Sequence, residues 1–348
     1  MKISGLAFAG SLMVAVGALA ETPLEHSPNV KTITSQQTDS TSELQSREVR
    51  LKTATGTLFG TLDLPAGTGP WPVALIIAGS GPTDRDGNQP LMKNNSLRLL
   101  GKALAGHGVA ALRYDKRGVA KSFAAGPVEE NLRFEDYVDD AVGWIRQLRR
   151  DHQFNAVAIL GHSEGSLIGI LVAKREPIDA LISVAGTGRK LATLLRDQLK
   201  QNLPRELFQQ SSHAVDELLA GRKVDQVPSE LKSLFRPSVQ PFLMTWLKYD
   251  PAREIADLRI PILLVQGTTD IQVSVDDAKL LAASNKNAHL ATIDKMNHVL
   301  KYAPLMSLIA QANIYAEPSL PLAPHFMDEV WSFLKTTLID KRIPADSR

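Results

Sequence analysis

The sequence predicts an α/β fold: a mostly parallel, twisted sheet flanked by helices, with a helical cap inserted in the second half. Three observations carry this. Apolar runs such as "VALIIAG" at 73–79 are continuous rather than alternating, as strands covered on both faces require. Such runs alternate with segments of helical spacing up to residue 187. That rhythm breaks over 188–255, where only helical spacing is legible, and returns over 256–340.

Taken in order, "REVRLKT" and "TLFGTLDLP" alternate polar and apolar residues around "ATG", which predicts a β-hairpin with order beginning near Arg47. The run at 73–79 is a strand, 97–108 a glycine-terminated helix and 109–115 a strand. Over 131–150, Phe134, Val138, Ala141, Val142, Ile145 and Leu148 share one helical face. Strand, helix and strand follow at 156–163, 165–175 and 178–186. The core is thus assigned to 47–187 and 256–340. The sheet resumes with "IPILLVQGTTD" at 260–270, a helix near 276–284, and "HLATIDKMNH" at 289–298. A last amphipathic helix covers about 325–337. In the cap, Leu191, Leu194, Leu195, Phe208, Phe235, Phe242 and Met244 are candidates for a pocket roof, although apolar helical spacing more often reports ordinary packing.

The 348-residue chain is 44% hydrophobic and 22% charged, an ordinary balance for a large core. Its formal charge is +2 without long like-charge runs, so neither nucleic acid nor an anionic membrane is suggested as a partner. There is no cysteine, which excludes disulfides, a thiolate nucleophile and cysteine–zinc sites. Residues 1–20 combine a lysine, a charge-free apolar stretch and a closing Ala18-Leu19-Ala20, the three parts of a secretory signal peptide. A permanent anchor is the rival, but the stretch is diluted by Gly and Ser and falls short of the ~20 apolar residues a span needs. The expectation is cleavage after Ala20, export to the periplasm or medium, and no stable membrane anchor afterwards. Residues 21–46, rich in Ser, Thr, Gln and Pro, read as a flexible leader.

Gly161-His162-Ser163-Glu164-Gly165 fits G-x-S-x-G between a predicted strand and a predicted helix, the context of a nucleophile elbow. The turn is tight, so its flanking residues must be small, and it lifts the serine hydroxyl above the strand ends. A serine needs a base, and in this arrangement the acid and base follow it in chain order. Asp270 closes one predicted strand and His298 the next, so catalytic Ser163, Asp270 and His298 should converge at the carboxyl edge of one sheet. Rivals are weaker. His162 adjoins the nucleophile but should point away from it and pack, while His107 and His289 belong to the opposite edge. His325 near the last helix is the one substitute for His298. Asp276 and Asp277 are explained by capping the next helix, and Asp294, within the last strand, by pairing with Lys295.

A tetrahedral oxyanion needs donors. One should be the backbone N–H of Glu164. The other should come from "GSGPTDRDGN" at 79–88, with Ser80 N–H the first candidate and Gly81 N–H the second. That loop does not continue into G-x-x-G and a helix, which argues against a dinucleotide site. Asp84, Arg85 and Asp86 should tie it down by ion pairs. Asp115 and Arg117 in "RYDKRGVAKS" should order a second loop.

With "GSGPTDRDGN", "LRYDKRG", "GHSEGS" and "QGTTDIQV" in hand, the chain resembles the α/β-hydrolase superfamily, and within it bacterial serine carboxylesterases, over about 47–340. The resemblance implies hydrolysis of small-molecule carboxylic esters, of small or medium acyl chain, through an acyl-enzyme on Ser163, with no metal or organic cofactor. Two departures stand out: Ala78-Gly79 where the family often has His-Gly, and Ala120 where many relatives have Gly, for which only a local loop effect is expected. The triad alone would equally serve a peptidase, thioesterase or acyltransferase. A non-catalytic binding module is the reading from a different class. Oligomeric state is not legible.

Overall fold

The computed structural model describes residues 44–90 and 92–340, so the predicted signal peptide and nearly all of the leader lie outside the described residues. Strands β1 (Gln45–Thr53) and β2 (Gly56–Leu64) form the antiparallel hairpin. Gln45 and Ser46, assigned above to the leader, already pair in it. The alternating units are β3 (Trp71–Ile77), α1 (Ser96–Gly106), β4 (Ala110–Tyr114), α2 (Phe134–Arg150), β5 (Phe154–His162), α3 (Glu164–Ala173) and β6 (Ala180–Val184). Helices α4 (Leu191–Asn202), α5 (Arg205–Leu219), α6 (Lys232–Phe235), α7 (Gln240–Trp246) and α8 (Pro251–Ala256) follow. The chain then adds β7 (Ile262–Gly267), α9 (Val275–Ser284), β8 (Ala288–Ile293), α10 (Leu308–Tyr315) and α11 (Phe326–Leu334).

The sheet has eight strands in the order β1-β2-β4-β3-β5-β6-β7-β8. It is parallel from β4 to β8, and β2 joins it antiparallel. Strand β3 has β4 on one side and β5 on the other, so the winding direction reverses there. Ligand crevices open at the carboxyl ends of strands at such a switch.

Alternate residues of each apolar run serve opposite faces. Leu75 and Ile77 pack with Val138 and Trp144 of α2 and Ile168 of α3. Ala74 and Ile76 pack with Leu100 and Leu104 of α1 and Phe326 and Val330 of α11. All six residues of the predicted apolar face of α2 are buried. Helix α3 is buried nearly all round, since it lies between the sheet and α2.

Helices α4 to α7 build an apolar core of their own around Leu199, Val215, Leu218 and Phe235. Aromatic contacts tie it to the sheet layer: Phe134 of α2 stacks on Trp246 at 5.5 Å, and Tyr137 meets Phe242 at 5.2 Å. Thr245 Oγ1 accepts the Phe134 N–H at 2.8 Å, satisfying a free donor at the start of α2. Helix α10 was not foreseen. Its apolar residues do not gather on one face, and Ile309 is 87% exposed.

The carboxyl-edge loops are held by ion pairs in the manner expected of Arg85, Asp86, Asp115 and Arg117, whereas Asp84, also expected to pair, holds its loop through backbone N–H groups. Arg85 Nη2 donates to Asp115 at 2.6 Å, and Arg113 bridges Asp63 and Asp86. Arg117 forks onto Asp140 at 2.8 and 2.6 Å. Asp84 Oδ1 accepts the N–H groups of Asp86 and Asn88.

Ala120 has φ 43° in the left-handed region and is exposed. A left-handed alanine costs about 1–2 kcal/mol, and the extra unfolded-state entropy of glycine returns roughly half of that. Ala120→Gly is expected to stabilise the protein by about 0.5–1 kcal/mol. Urea unfolding at constant m-value measures it.

Candidate active site

Ser163 sits between β5 and α3 with φ 54° and ψ −117°, a strained conformation for a residue with a side chain. The flanking glycines make it possible. A Cβ on Gly161 would lie 2.1 Å from the Gly165 carbonyl oxygen, and one on Gly165 would lie 2.3 Å from that of Ile77. Strand and helix therefore approach more closely than any larger residue allows. Ser163 N–H donates to Val184 O at 2.9 Å, tying the turn to β6.

Asp270 and His298 meet, as chain order suggested, but neither closes its strand. Strand β7 stops at Gly267 and β8 at Ile293, so both residues stand on the loops that follow. Asp294 likewise falls just past β8, where it pairs with Lys295 at 3.6 Å. The "TTD" and "DKMNH" runs look like strand continuations, but their backbones turn instead to bond each other. Thr269 N–H donates to Met296 O, and Lys295 N–H donates to Thr268 Oγ1.

His298 Nδ1 lies 2.8 Å from Asp270 Oδ2, and both side chains are buried. Asp270 Oδ2 also accepts from Gln266 Nε2 at 3.1 Å, and Oδ1 accepts the N–H groups of Gln272 and Val273 at 2.8 and 3.0 Å. A carboxylate so filled with donors is an acceptor only, so the His298 proton belongs on Nδ1 and the lone pair on Nε2. Nε2 is buried, with no hydrogen-bond partner among the described residues. His298 and Ser163 line the same cavity of about 20 Å³, together with Gly79, Ser80 and His162.

His162 does more than pack. Its ring lies 4.9 Å from that of His298, and its Nε2 donates to the His298 backbone carbonyl at 2.8 Å. Burial, reinforced by the neighbouring His298, pushes the His162 imidazole down from 6.5 to about 3, so it stays neutral and keeps this donor. A bond of this kind, to a backbone carbonyl distant in sequence, leaves no local signature. His107 stacks on Trp331 at 5.0 Å, His325 is exposed beside Asp328, and Asp277 caps α9 in a capping box with Ser274.

Of the donor candidates, Glu164 opens α3, and Ser80 stands on the loop after β3, which pairs Ile77 with Gly161. Gly79 adjoins Ser163 so closely that a Cβ there would lie 3.2 Å from the serine Cβ. Two larger cavities meet at Ser80 and Glu164. One, of about 70 Å³, reaches Ser163 and is walled by Leu191, Leu194 and Leu195. The other, of about 280 Å³, is lined by Gly81, Phe123, Tyr137 and Phe242. Leu243 and Trp246 border both. Of the remaining roof candidates, Phe235 is buried and Phe208 half-buried in the helices' own core, while Met244 lines a separate surface cavity.

The family model Hydrolase_4, described as serine aminopeptidase S33, matches residues 94–230. Esterase EstD of Thermotoga maritima is 27% identical over 247 residues, 70% of this chain. The match spans only 58% of that relative's length. Among solved structures, Est1E from Butyrivibrio proteoclasticus aligns with TM-score 0.52 and 18% identity, covering 76% of this chain and 96% of its own. The alpha/beta hydrolase GrgF from Penicillium sp. sh18 aligns with TM-score 0.54 and 18% identity, covering 84% of this chain and 99% of its own.

The low pKa of His162 has a thermodynamic consequence. Unfolding restores its ordinary value, so between pH 6.5 and about 3 the unfolded chain binds the extra proton. Stability from this group is complete above pH 6.5 and falls by up to about 1.4 kcal/mol per pH unit on acidification through that window. In urea unfolding from pH 7 to 4, His162→Gln should show a shallower acid decline than the wild type.

Proposed function

We propose, from the α/β-hydrolase fold that these likenesses establish, that the protein is an exported serine carboxylesterase. The observation that carries this reading is the buried Asp270–His298 pair with a free Nε2 beside the strained Ser163. In the proposed cycle, Ser163 Oγ attacks the ester carbonyl while His298 Nε2 takes its proton. Asp270 holds the tautomer and stabilises the imidazolium. The oxyanion is received by the N–H groups of Glu164 and Ser80. Ser80 is preferred to Gly81 because it lines all three cavities around the serine, whereas Gly81 lines only the largest. Collapse returns the proton to the departing alcohol and leaves an acyl-serine. Water, deprotonated by His298, then releases the acid and regenerates the hydroxyl. No step calls on a metal or organic cofactor.

The family model's description favours a second reading, an aminopeptidase. Such an enzyme needs a free carboxylate for the substrate's ammonium terminus. Among the described residues, the acidic ones lining the two larger cavities are Glu129 and Glu164, and each is already paired, with Arg236 and Lys116 respectively. The apolar walls and occupied carboxylates support an uncharged ester. The small volume of the cavity beside Ser163 supports a short or medium acyl chain. The helical segment from α4 to α8 serves in this reading as the cap that roofs the site.

Ser163→Ala should lower kcat on a p-nitrophenyl ester by roughly 10⁶-fold, the loss known for a serine-hydrolase nucleophile. Near-wild-type turnover by the folded variant would refute the assignment. Wild-type protein should cleave p-nitrophenyl butyrate well above the laurate ester, and above an aminoacyl p-nitroanilide. Faster cleavage of the anilide would favour the peptidase. Export predicts a mature N-terminus at Glu21, read by N-terminal sequencing of the protein recovered outside the cytoplasm.

A further inference from the structure

Lys116 is a buried cation that the proposed chemistry does not itself use. It follows β4 by two residues, and its side chain is 1% exposed. Its Nζ donates to the Gly79 carbonyl at 2.5 Å and to Glu164 Oε1 at 3.0 Å, and it lies 4.9 Å from the centre of the Tyr137 ring. A lysine is seldom buried without a defined set of partners, because desolvating an ammonium is costly.

One partner is the carbonyl of the peptide that carries the Ser80 N–H, and the other is the side chain of Glu164, so both belong to groups that would present an N–H to an oxyanion. The Gly79 carbonyl and the Ser80 N–H are opposite ends of one planar trans peptide. Gripping the oxygen from one side fixes the direction of the N–H on the other. A cation on the carbonyl also polarises the peptide and makes that N–H a stronger donor. The same ammonium holds the side chain of Glu164, whose own backbone N–H opens α3. The two donors come from distant parts of the chain, the loop after β3 and the turn after β5, and Lys116 bonds to both.

We propose that Lys116 is the positioning residue of the oxyanion hole, clamping the Gly79–Ser80 peptide and Glu164 so that both N–H groups converge on the oxygen formed at Ser163. This rests on the reading of Ser163 as nucleophile. The clamp acts on the tetrahedral species rather than on bound ester, so its loss must appear in kcat and not in KM.

The test compares wild type with Lys116→Met and with the double variant Lys116→Met/Glu164→Leu. The double variant replaces the buried pair by hydrocarbon of similar volume, an exchange that buried ion pairs often tolerate, and keeps both backbone N–H groups. Cooperative urea unfolding verifies the fold, and a fluorophosphonate with peptide mapping verifies Ser163 as the labelled residue. On p-nitrophenyl butyrate both variants should lose about 10²-fold in kcat, the scale of one oxyanion donor, with KM unchanged. Affinity for a phenylboronic acid, which mimics the tetrahedral adduct, should fall with kcat. A folded double variant with wild-type kcat overturns the proposal. So does a loss carried by KM alone, or loss of folding in both variants, which would assign Lys116 to stability. Wild-type protein that fails to label at Ser163 overturns the underlying reading first, an outcome distinct from labelled protein indifferent to Lys116.

Discussion

The close approach of α3 to β5 and to the end of β3 at Ser163 is the constraint on which the rest of the structure depends. Two carbonyl oxygens, those of Ile77 and Gly165, occupy the space where side chains at residues 165 and 161 would stand. Only hydrogen atoms fit there, and the serine between them is driven to φ 54°. The strain is held by the sheet on both sides: Ile77 pairs with Gly161 and His162 with Val184. A sheet with that register places the loop after β3 against the serine and leaves the loops after β7 and β8 to bring Asp270 and His298 to it. A larger residue at either glycine would have to push the strand from the helix, and every distance at the site would change with it.

Around that turn the polar side chains form a stiff frame. Arg85, Arg113, Lys116 and Arg117 each meet a carboxylate at the carboxyl edge, and most of these groups are buried. Buried ion pairs add little net stability over hydrocarbon, but breaking one leaves an uncompensated charge. The loops they hold therefore have few alternative arrangements. His162 contributes in the opposite way, by remaining uncharged. Its place against His298 would be untenable for two imidazolium rings, and burial keeps His162 uncharged down to about pH 3.

The helical segment is joined differently. Its contacts with α2 are largely aromatic and apolar, through Phe134, Tyr137, Phe242 and Trp246. Such contacts are not directional in the way hydrogen bonds are. The polar frame and the apolar roof thus differ in kind, one fixing the directions of side chains around Ser163 and the other walling the cavities beside it.

The order of elements, the covered strands, the tight strand–helix turn at Ser163 and the meeting of Asp270 with His298 were all legible in the sequence. Each leaves a local trace: an apolar run, a spacing, two glycines around a serine, a residue type just beyond a strand. The exact strand ends were not, because Thr268 and Lys295 carry residue types that extended and turning backbone share, and the bond between their loops decides which is adopted. Helix α10, without an apolar face, was equally silent. The roles of His162, Gln266 and Lys116 had no local trace at all. Lys116 in particular stands between Asp115 and Arg117, where sequence suggests another loop charge. Its partners, Gly79 and Glu164, are brought to it only when three strands pair side by side. Periodicity and turn chemistry act between neighbours along the chain, so the sequence could determine which elements form and where the tight turn between strand and helix falls. The direction of a carbonyl, the proton on a ring nitrogen and the burial of a charge depend on atoms far apart in the chain, and those only the tertiary structure decided.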